Sequence, residues 1–273
     1  MLTTIRQDTH ILKIRTMMLL KSQQPTLTSP QTAGYIKLTV VVPCYNEEAG
    51  LDQLADKLKA LKSHFSERLD LEVIFVDDGS TDKTAAGLDN RFQQFPWARV
   101  IRHDRNLGIA AAILTGIESA SNELVASLDA DCTYDPLQIN SLVEMMVDDV
   151  AMVTASPYHP EGCVEGIPRW RLVLSKTAST CYAILLGTSL HTYTSCFRVY
   201  RRSFIRNLEI RERGFVGVAE LLWQVQKNGG KIVEAPARLT SRRVGFSKLR
   251  TIPVIFSHFK LMNRILFHRF FGR

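Results

Sequence analysis

The sequence predicts an α/β fold in which helices flank a mixed, mostly parallel sheet, and three observations indicate it. Short β-branched runs alternate with segments of helical spacing through residue 154, as successive βαβ units require. Three of these runs end directly in polar loops, after residues 42, 76 and 128, where open α/β sheets bind ligands. A chain of 273 residues, 45% hydrophobic and 22% charged, is large enough to bury one such core.

The predicted elements follow from hydrophobic spacing. Strands are expected at residues 38–42, 71–76, 98–102, 124–128 and 151–154, with helices at 49–65, 109–120 and 136–147. Residues 156–168 contain three prolines and two glycines and predict a long mobile loop over an active site. Helices at 170–186 and 218–227 and strands at 196–200 and 231–235 complete a single domain over residues 35–250.

Composition limits the class of protein. The net charge of +7 indicates an anionic partner, and nucleic acid is the least favoured because aromatic residues do not interleave with the basic loop. Five scattered cysteines without a C-x-x-C pair favour a reduced compartment and argue against structural zinc. Residues 1–34 are rich in Thr, Gln and Ser and are expected to form a disordered N-terminal extension.

Two carboxylates at alternate positions are the main chemical signal. Asp129 and Asp131 directly follow the apolar run 124–128, so they are expected at the ligand-binding edge of the sheet. Their charges repel unless a cation lies near, which indicates Mg²⁺ or Mn²⁺ completed by a substrate's phosphates. The simpler alternative is that the pair caps the helix beginning near Pro136.

Two further loops are expected at the same edge. They comprise residues 43–47 and 77–80, and together with the Asp pair they would form one pocket for a nucleotide and a metal. Neither G-x-G-x-x-G after a strand nor G-x-x-x-x-G-K-[ST] occurs, so NAD and an ATP-type phosphate loop are not favoured. A nucleotide-sugar fits a pocket of this chemistry.

Five ordered motifs resemble family 2 glycosyltransferases. They are VVPCYNEE at 41–48, VDDGSTDKT at 76–84, DAD at 129–131, SCFRVYRR at 195–202 and RVGFSK at 243–248. The last two are similar to the branch of dolichyl-phosphate mannosyltransferases and polyprenyl-phosphate glycosyltransferases, and the resemblance covers about residues 36 to 255. It implies the GT-A fold, a Rossmann-like nucleotide-diphospho-sugar transferase architecture, and a hexosyltransferase activity.

The resemblance also implies site residues. Nucleotide contacts fall on Pro43, Tyr45, Glu47 and Asp78, with Asp77 as a helper at the base. Asp129 would hold the sugar and nucleotide side and Asp131 the metal, whereas phosphate contacts fall on Arg198, Arg243, Ser247 and Lys248. Guanidinium forks and an ammonium group suit phosphate oxygens. Thr133 stands where the branch commonly has Gln, so the third metal ligand is open.

The implied reaction moves a sugar, with inversion, from a UDP- or GDP-sugar to a polyprenyl or dolichyl phosphate. A lipid phosphate is already an anion and needs no strong base; a hydroxyl acceptor would need one, and Glu220 is the candidate. The alternatives are the same donor chemistry with a saccharide hydroxyl acceptor in cell-envelope glycan synthesis, and a nucleotide-sugar-binding protein that has lost catalysis. Arg169 and Arg171 either pair with acids of their own helix or guide the acceptor phosphate.

The C-terminal segment 251–273 is expected to form an amphipathic basic helix. Ile255, Phe259, Met262, Leu266 and Phe270 recur near helical spacing with basic residues between them. This helix would pack on the catalytic domain or lie in an anionic membrane surface. The sequence contains no run of 18 or more apolar residues, so it does not predict a transmembrane helix. We expect a cytoplasmic protein, peripheral on the cytoplasmic face of the membrane.

Overall fold

The computed structural model describes residues 36–65, 69–242 and 251–271. The predicted N-terminal extension and three predicted phosphate contacts, Arg243, Ser247 and Lys248, lie outside these residues. The main sheet has seven strands in the order β3-β2-β1-β4-β7-β5-β8. These strands are β1 (Ile36–Cys44), β2 (Leu69–Asp77), β3 (Ala98–Arg102), β4 (Leu124–Ser127), β5 (Val150–Ser156), β7 (Arg198–Arg201) and β8 (Lys231–Pro236).

The sheet is mixed, as predicted. Strand β7 runs antiparallel to both β4 and β5, whereas every other pairing in the main sheet is parallel. The register places Ser127, the last residue of β4, opposite Arg198. The start of β7 therefore lies at the same edge of the sheet as the Asp129–Asp131 loop.

Helices cover both faces of the sheet. They are α1 (Leu51–His64), α2 (Thr84–Phe92), α3 (Ile109–Ser119), α4 (Ile139–Glu144), α5 (Arg169–Leu186), α6 (Arg202–Ile205), α7 (Val216–Lys227) and α8 (Thr251–Phe271). Alternate residues of β1 point to opposite faces: Leu38, Val40 and Val42 join the core with α1, and Val41 joins the core with α3. A Cβ on Gly116 of α3 would lie 2.2 Å from Val41, so the glycine allows α3 to pack closely on the sheet.

A second, two-stranded sheet includes part of the predicted mobile loop. Residues 163–165 form β6, which pairs in parallel with β9 (Arg238–Thr240). Tyr134 bridges to Leu239 of β9, and Thr240 N donates to Thr133 O over 2.9 Å. The loop predicted over residues 156–168 therefore contains a short strand, which pairs with a segment 75 residues later.

Candidate active site

A cleft of about 1180 Å³ opens at the carboxyl ends of β1, β2 and β4. Six residues predicted from the sequence line it together: Pro43, Tyr45, Glu47, Asp78, Asp129 and Asp131. The parallel pairing of β1 with β2 and β4 brings their terminal loops to one edge. The sequence-based expectation that these acids share one pocket agrees with this geometry.

Hydrogen bonds fix the first two loops to each other. Asn46 adopts a positive φ of 54°, a conformation that asparagine tolerates better than most residues. Its Oδ1 accepts from Thr81 N over 2.7 Å, and its own N–H donates to Ser80 Oγ over 2.9 Å. Glu47 N donates to Thr84 Oγ1 over 2.7 Å. Tyr45 and Glu47 are thus held on a loop braced against the start of α2.

Asp78 organises the floor of the cleft. Its Oδ1 accepts from Leu107 N over 2.9 Å and contacts His103 Nδ1 at 2.7 Å, while Oδ2 accepts from Gly108 N over 2.8 Å. Gly108 has φ of 103°, and a Cβ there would lie 2.6 Å from Arg213 O. Asp78 therefore holds the loop before α3 in place as well as lining the cleft.

Asp77 does not line the cleft. Its side chain is buried and its Oδ1 accepts from Ser80 N over 3.1 Å. This is the turn-capping role that an Asp often takes after a strand. The predicted helper role of Asp77 at the base is therefore not supported by its position.

The Asp129–Asp131 pair faces the cleft with the electrostatics of a cation site. Burial and, second, the charge of Asp131 raise the pKa of Asp129 to about 7. Asp131 Oδ1 accepts from Thr133 N over 3.1 Å and from Thr133 Oγ1 over 2.9 Å. Such a pair suits Mg²⁺ or Mn²⁺, which take carboxylate oxygens. Among the described residues no group of three His, Cys, Asp or Glu could hold a metal, so further ligands would be phosphate or water oxygens.

Arg242 is the basic residue of the cleft that sequence reasoning missed. It forms an ion pair with Glu47, and its Nη1 lies 4.0 Å from Asp131 Oδ2. Burial lowers the pKa of its guanidinium. The predicted phosphate contact was its neighbour Arg243, which lies outside the described residues. Arg242 lies two residues after β9, whose Thr240 N donates to Thr133 O, and no pattern in the sequence indicates this position.

Arg198, a predicted phosphate contact, lies in the core and does not line the cleft. Its side chain is fully buried. Nη1 donates to Val218 O over 2.6 Å, Nη2 to Tyr193 O over 2.8 Å, and Nε to Thr154 Oγ1 over 3.3 Å. These bonds join β7 to β5, α7 and the loop before β7. The guanidinium is a structural brace behind the cleft.

Glu220, the predicted candidate for a general base, also does not line the cleft. It is fully buried in α7. Its Oε2 accepts from Arg211 N over 3.0 Å and Glu212 N over 2.6 Å, and Oε1 accepts from Arg264 Nη2 of α8. No proton of a substrate in the cleft can reach this carboxylate directly.

An apolar groove of about 380 Å³ adjoins the cleft between α5 and α8. Three residues line both cavities: Arg171, Phe215 and Val254. The other residues of the groove are Trp170, Leu174, Ser175, Thr177, Ala178, Cys181, Thr194, Ile255, His258, Phe259 and Met262. Arg171 sits on the first turn of α5, with its guanidinium 5.2 Å from the Trp170 ring centre. The polar cleft and the apolar groove thus meet at a guanidinium.

Large apolar side chains are exposed mainly on these two helices. On α5 they are Trp170, Val173, Leu174 and Ile184, and on α8 they are Phe256, Phe259, Leu266, Phe267, Phe270 and Phe271. In the described part of the chain, no helix has the length and apolar character needed to cross a membrane. Exposed apolar side chains concentrated on two neighbouring helices are typical of an interaction surface.

Comparison with known proteins agrees with the fold. The sequence profile described as glycosyl transferase family 2 matches residues 39–209. A polyprenol monophosphomannose synthase of Mycolicibacterium smegmatis is 30% identical over 217 residues, which cover 77% of this chain and 80% of that one. A dolichol-phosphate mannosyltransferase of Pyrococcus furiosus is 28% identical over 85% of this chain and 64% of its own length.

Solved structures show the same fold. Glucosyl-3-phosphoglycerate synthase of Mycobacterium tuberculosis, in complex with Mn²⁺, UDP and glucosyl-3-phosphoglycerate, superposes with a TM-score of 0.62 at 19% identity. The superposition covers 85% of this chain and 79% of that one. The fold and the acid-lined cleft define a GT-A glycosyltransferase. The chain belongs to glycosyl transferase family 2.

Proposed function

We propose that this glycosyltransferase moves a sugar from a nucleoside diphosphate to a polyprenyl phosphate, with inversion, while peripherally bound to a membrane surface. The observation that carries the proposal is the junction at Arg171. An acid-lined cleft of about 1180 Å³ meets an apolar groove of about 380 Å³ there. An acceptor with an anionic head and an apolar tail matches this pair of cavities. The polyprenol and dolichol phosphate substrates in the names of the relatives support the same class.

The donor occupies the cleft. Tyr45, Glu47 and Asp78 line it on the loops after β1 and β2, and Asp129 and Asp131 line it on the loop after β4. The first group offers an aromatic face and carboxylates to a nucleoside. The second lies where the diphosphate and the sugar would follow. Assays with UDP- and GDP-sugars determine whether the donor carries uracil or guanine.

A divalent cation completes the donor site. Asp129 and Asp131 would hold Mg²⁺ or Mn²⁺, with the Thr133 hydroxyl orienting Asp131. Bound there, the cation would stabilise the negative charge that develops on the leaving diphosphate. Arg242, whose Nη1 lies 4.0 Å from Asp131 Oδ2, supplies a second positive charge once a phosphate competes with Glu47 for its guanidinium.

The acceptor phosphate binds at Arg171. In the described part of the chain this guanidinium has no carboxylate partner, and it lines both cavities. Ser175, one helical turn later, lines the groove on the same side. A guanidinium and a hydroxyl on one helix face are suitable donors for phosphate oxygens.

The reaction is a single in-line displacement. An oxygen of the acceptor phosphate forms a bond to the anomeric carbon as the bond from that carbon to the diphosphate breaks, and the nucleoside diphosphate leaves. The acceptor is already an anion, so no side chain has to remove a proton. The burial of Glu220 away from the cleft favours this acceptor over a saccharide hydroxyl, which would need a base.

In this proposal the apolar faces of α5 and α8 lie against a bilayer. Phe256, Phe259 and Phe270 are each at least 60% exposed. Lys260 and Arg269 on the same helix are exposed as well and suit an anionic surface, where each contributes about 1 kcal/mol. The lipid tail would pass from the groove into the adjoining bilayer. This is a peripheral association, and we propose that it occurs on the cytoplasmic face.

Purified protein, UDP- and GDP-sugars, Mn²⁺ or Mg²⁺ and an acceptor panel test the function. The panel contains undecaprenyl phosphate, dolichyl phosphate, the dephosphorylated polyprenol and a free saccharide. Glycolipid formed only from the phosphorylated lipids, with one nucleoside diphosphate released per product, supports the proposal. Transfer only to the saccharide, or tight donor binding without turnover, contradicts it and favours the alternative enzyme or the binding protein.

A further inference from the structure

Glu220 of α7 is a buried carboxylate with partners on two different segments. Its Oε2 accepts from the backbone N–H groups of Arg211 and Glu212, over 3.0 Å and 2.6 Å, and its Oε1 pairs with Arg264 of α8. A charge buried this deeply is stable only when it is paired and hydrogen-bonded. The loop 211–215 and α8 are therefore both tied to one carboxylate.

Arg264 is the charged attachment in the middle of α8. Its guanidinium lies over the Trp223 ring, 5.6 Å from the centroid, and its Nη1 is 3.9 Å from Glu212 Oε1. Leu261, one turn before Arg264, and Ile265, the next residue, are buried. His258, which contacts Tyr182, and Arg269, which donates to Ile184 O and Leu185 O, hold α8 against α5. Arg264 ties the helix to Glu220 and Trp223 of α7.

Both segments tied to Glu220 are walls of the proposed acceptor site. Helix α8 contributes Val254 and His258 to the groove, and His258 Nδ1 contacts Tyr182 OH of α5 at 2.8 Å. The loop 211–215 places Phe215 in both cavities. Its Arg213 O also accepts from Ala111 N over 3.0 Å, which seats the loop on α3.

We infer that Glu220 and Arg264 are positioning residues for the acceptor: their ion pair holds α8 and Phe215 at the spacing that forms the groove beside Arg171. The inference rests on the proposed function and adds to it a determinant of acceptor binding that touches neither substrate. Weakening the pair should widen the groove, whereas the donor-binding loops after β1, β2 and β4 keep the hydrogen bonds that fix them.

Arg264→Met, Arg264→Lys and Glu220→Gln test the pair. Met keeps the aliphatic stem over Trp223, Lys keeps the charge, and Gln keeps an oxygen for the two backbone N–H groups. Arg206→Met is the charge control, because it removes one positive charge from an exposed site outside α8. Assays use undecaprenyl phosphate in neutral detergent micelles, and hydrogen exchange follows the amides of residues 251–271.

The expected result is a KM for undecaprenyl phosphate raised about tenfold in Arg264→Met and Glu220→Gln, with donor KM within about twofold. Amide exchange in α8 should be about tenfold faster in both variants. Arg264→Lys should lie between wild type and Arg264→Met, and Arg206→Met should behave as wild type. Unchanged acceptor KM, equal changes for donor and acceptor, or the same loss in Arg206→Met would each overturn the inference.

A failure of the proposed function gives a different pattern. If the wild type forms no glycolipid, that proposal is wrong, and hydrogen exchange alone decides whether the pair positions α8. Faster exchange confined to α8 and residues 211–215 then supports the positioning role. Unchanged exchange in Arg264→Met and Glu220→Gln overturns it.

Discussion

Thr133 Oγ1 donates a 2.9 Å hydrogen bond to Asp131 Oδ1. The Thr133 backbone N–H reaches the same oxygen over 3.1 Å, so Oδ1 is occupied and the carboxylate plane is fixed. Thr133 O in turn accepts from Thr240 N over 2.9 Å. Thr133 thereby connects the proposed metal loop to the strand that leads into Arg242.

Thr133→Val should weaken binding of Mn²⁺ alone by about tenfold, because a residue that orients a metal ligand typically contributes this much. Thr133→Ser keeps the hydroxyl and should bind within about twofold of wild type. Isothermal titration with Mn²⁺ measures both variants. Equal affinity of Thr133→Val and wild type would show that the hydroxyl does not position Asp131.

Arg242→Met should lower kcat by about 10² to 10³, as the loss of one preorganised charge beside a leaving group does. Arg242→Lys should recover part of the rate. Arg238→Met is the control, since Arg238 lies on β9 close to Arg242 in sequence but pairs with Glu165 on the exposed surface. Steady-state kinetics with varied donor concentration measure both variants. An equal loss of activity in Arg242→Met and Arg238→Met would contradict this role.

Arg198→Met should destabilise the fold by about 3 kcal/mol, because it leaves buried carbonyls of Val218 and Tyr193 without their donors. Urea unfolding measures the change, and exposed Arg206→Met should be within about 0.5 kcal/mol of wild type. If Arg198 contacted phosphate, Arg198→Met would instead leave the midpoint of urea unfolding unchanged and selectively lower kcat.

Asp129→Asn should stabilise the metal-free protein at alkaline pH. The pKa of Asp129 is raised to about 7 in the folded state by burial and by Asp131, so the folded chain binds more protons than the unfolded chain between about pH 4 and 7. Stability from this group is therefore present at low pH and lost as pH rises towards 7.

The predicted gain for Asp129→Asn in EDTA is on the order of 2 kcal/mol at pH 8 and close to zero at pH 4. Exposed Asp104→Asn serves as the control. Thermal unfolding across this pH range measures both variants. A gain for Asp129→Asn that was constant with pH would mean that the carboxylate is not held protonated by its surroundings.

Phe267→Ser combined with Phe270→Ser should reduce binding to vesicles containing anionic lipid by about tenfold, since each exposed aromatic ring loses its burial in the interface. Val147→Ser removes an exposed apolar side chain from a different surface and should change nothing. Vesicle flotation measures the bound fraction. Equal binding by all three proteins would remove α8 from the membrane contact.

The acids of the cleft could be predicted because each follows a strand directly in sequence. Asp78, Asp129 and Asp131 need only the parallel pairing of β1, β2 and β4 to come together, and short β-branched runs indicate such strands. The separate pairing of β6 with β9 could not be read in this way. It joins residues 75 positions apart, and neither strand has a hydrophobic period of its own.

Arg198 and Glu220 show where sequence reasoning fails. Both lie next to recognisable motifs, and Arg198 lies at the correct edge of the sheet. The direction of each side chain depends on packing: helices cover both faces of the sheet at β7, and α8 covers Glu220. Arg242 was missed for the converse reason, because it lies in a loop where no periodicity predicts direction.

In the proposed function, the cleft and the groove form one site joined at Arg171. Comparing kcat/KM for undecaprenyl phosphate between Arg171→Met and Arg169→Met tests this directly. Arg169 is a neighbour that lines neither cavity. We predict a loss of about 10² for Arg171→Met and a change of less than about threefold for Arg169→Met. Equal activity of the two variants would contradict the account.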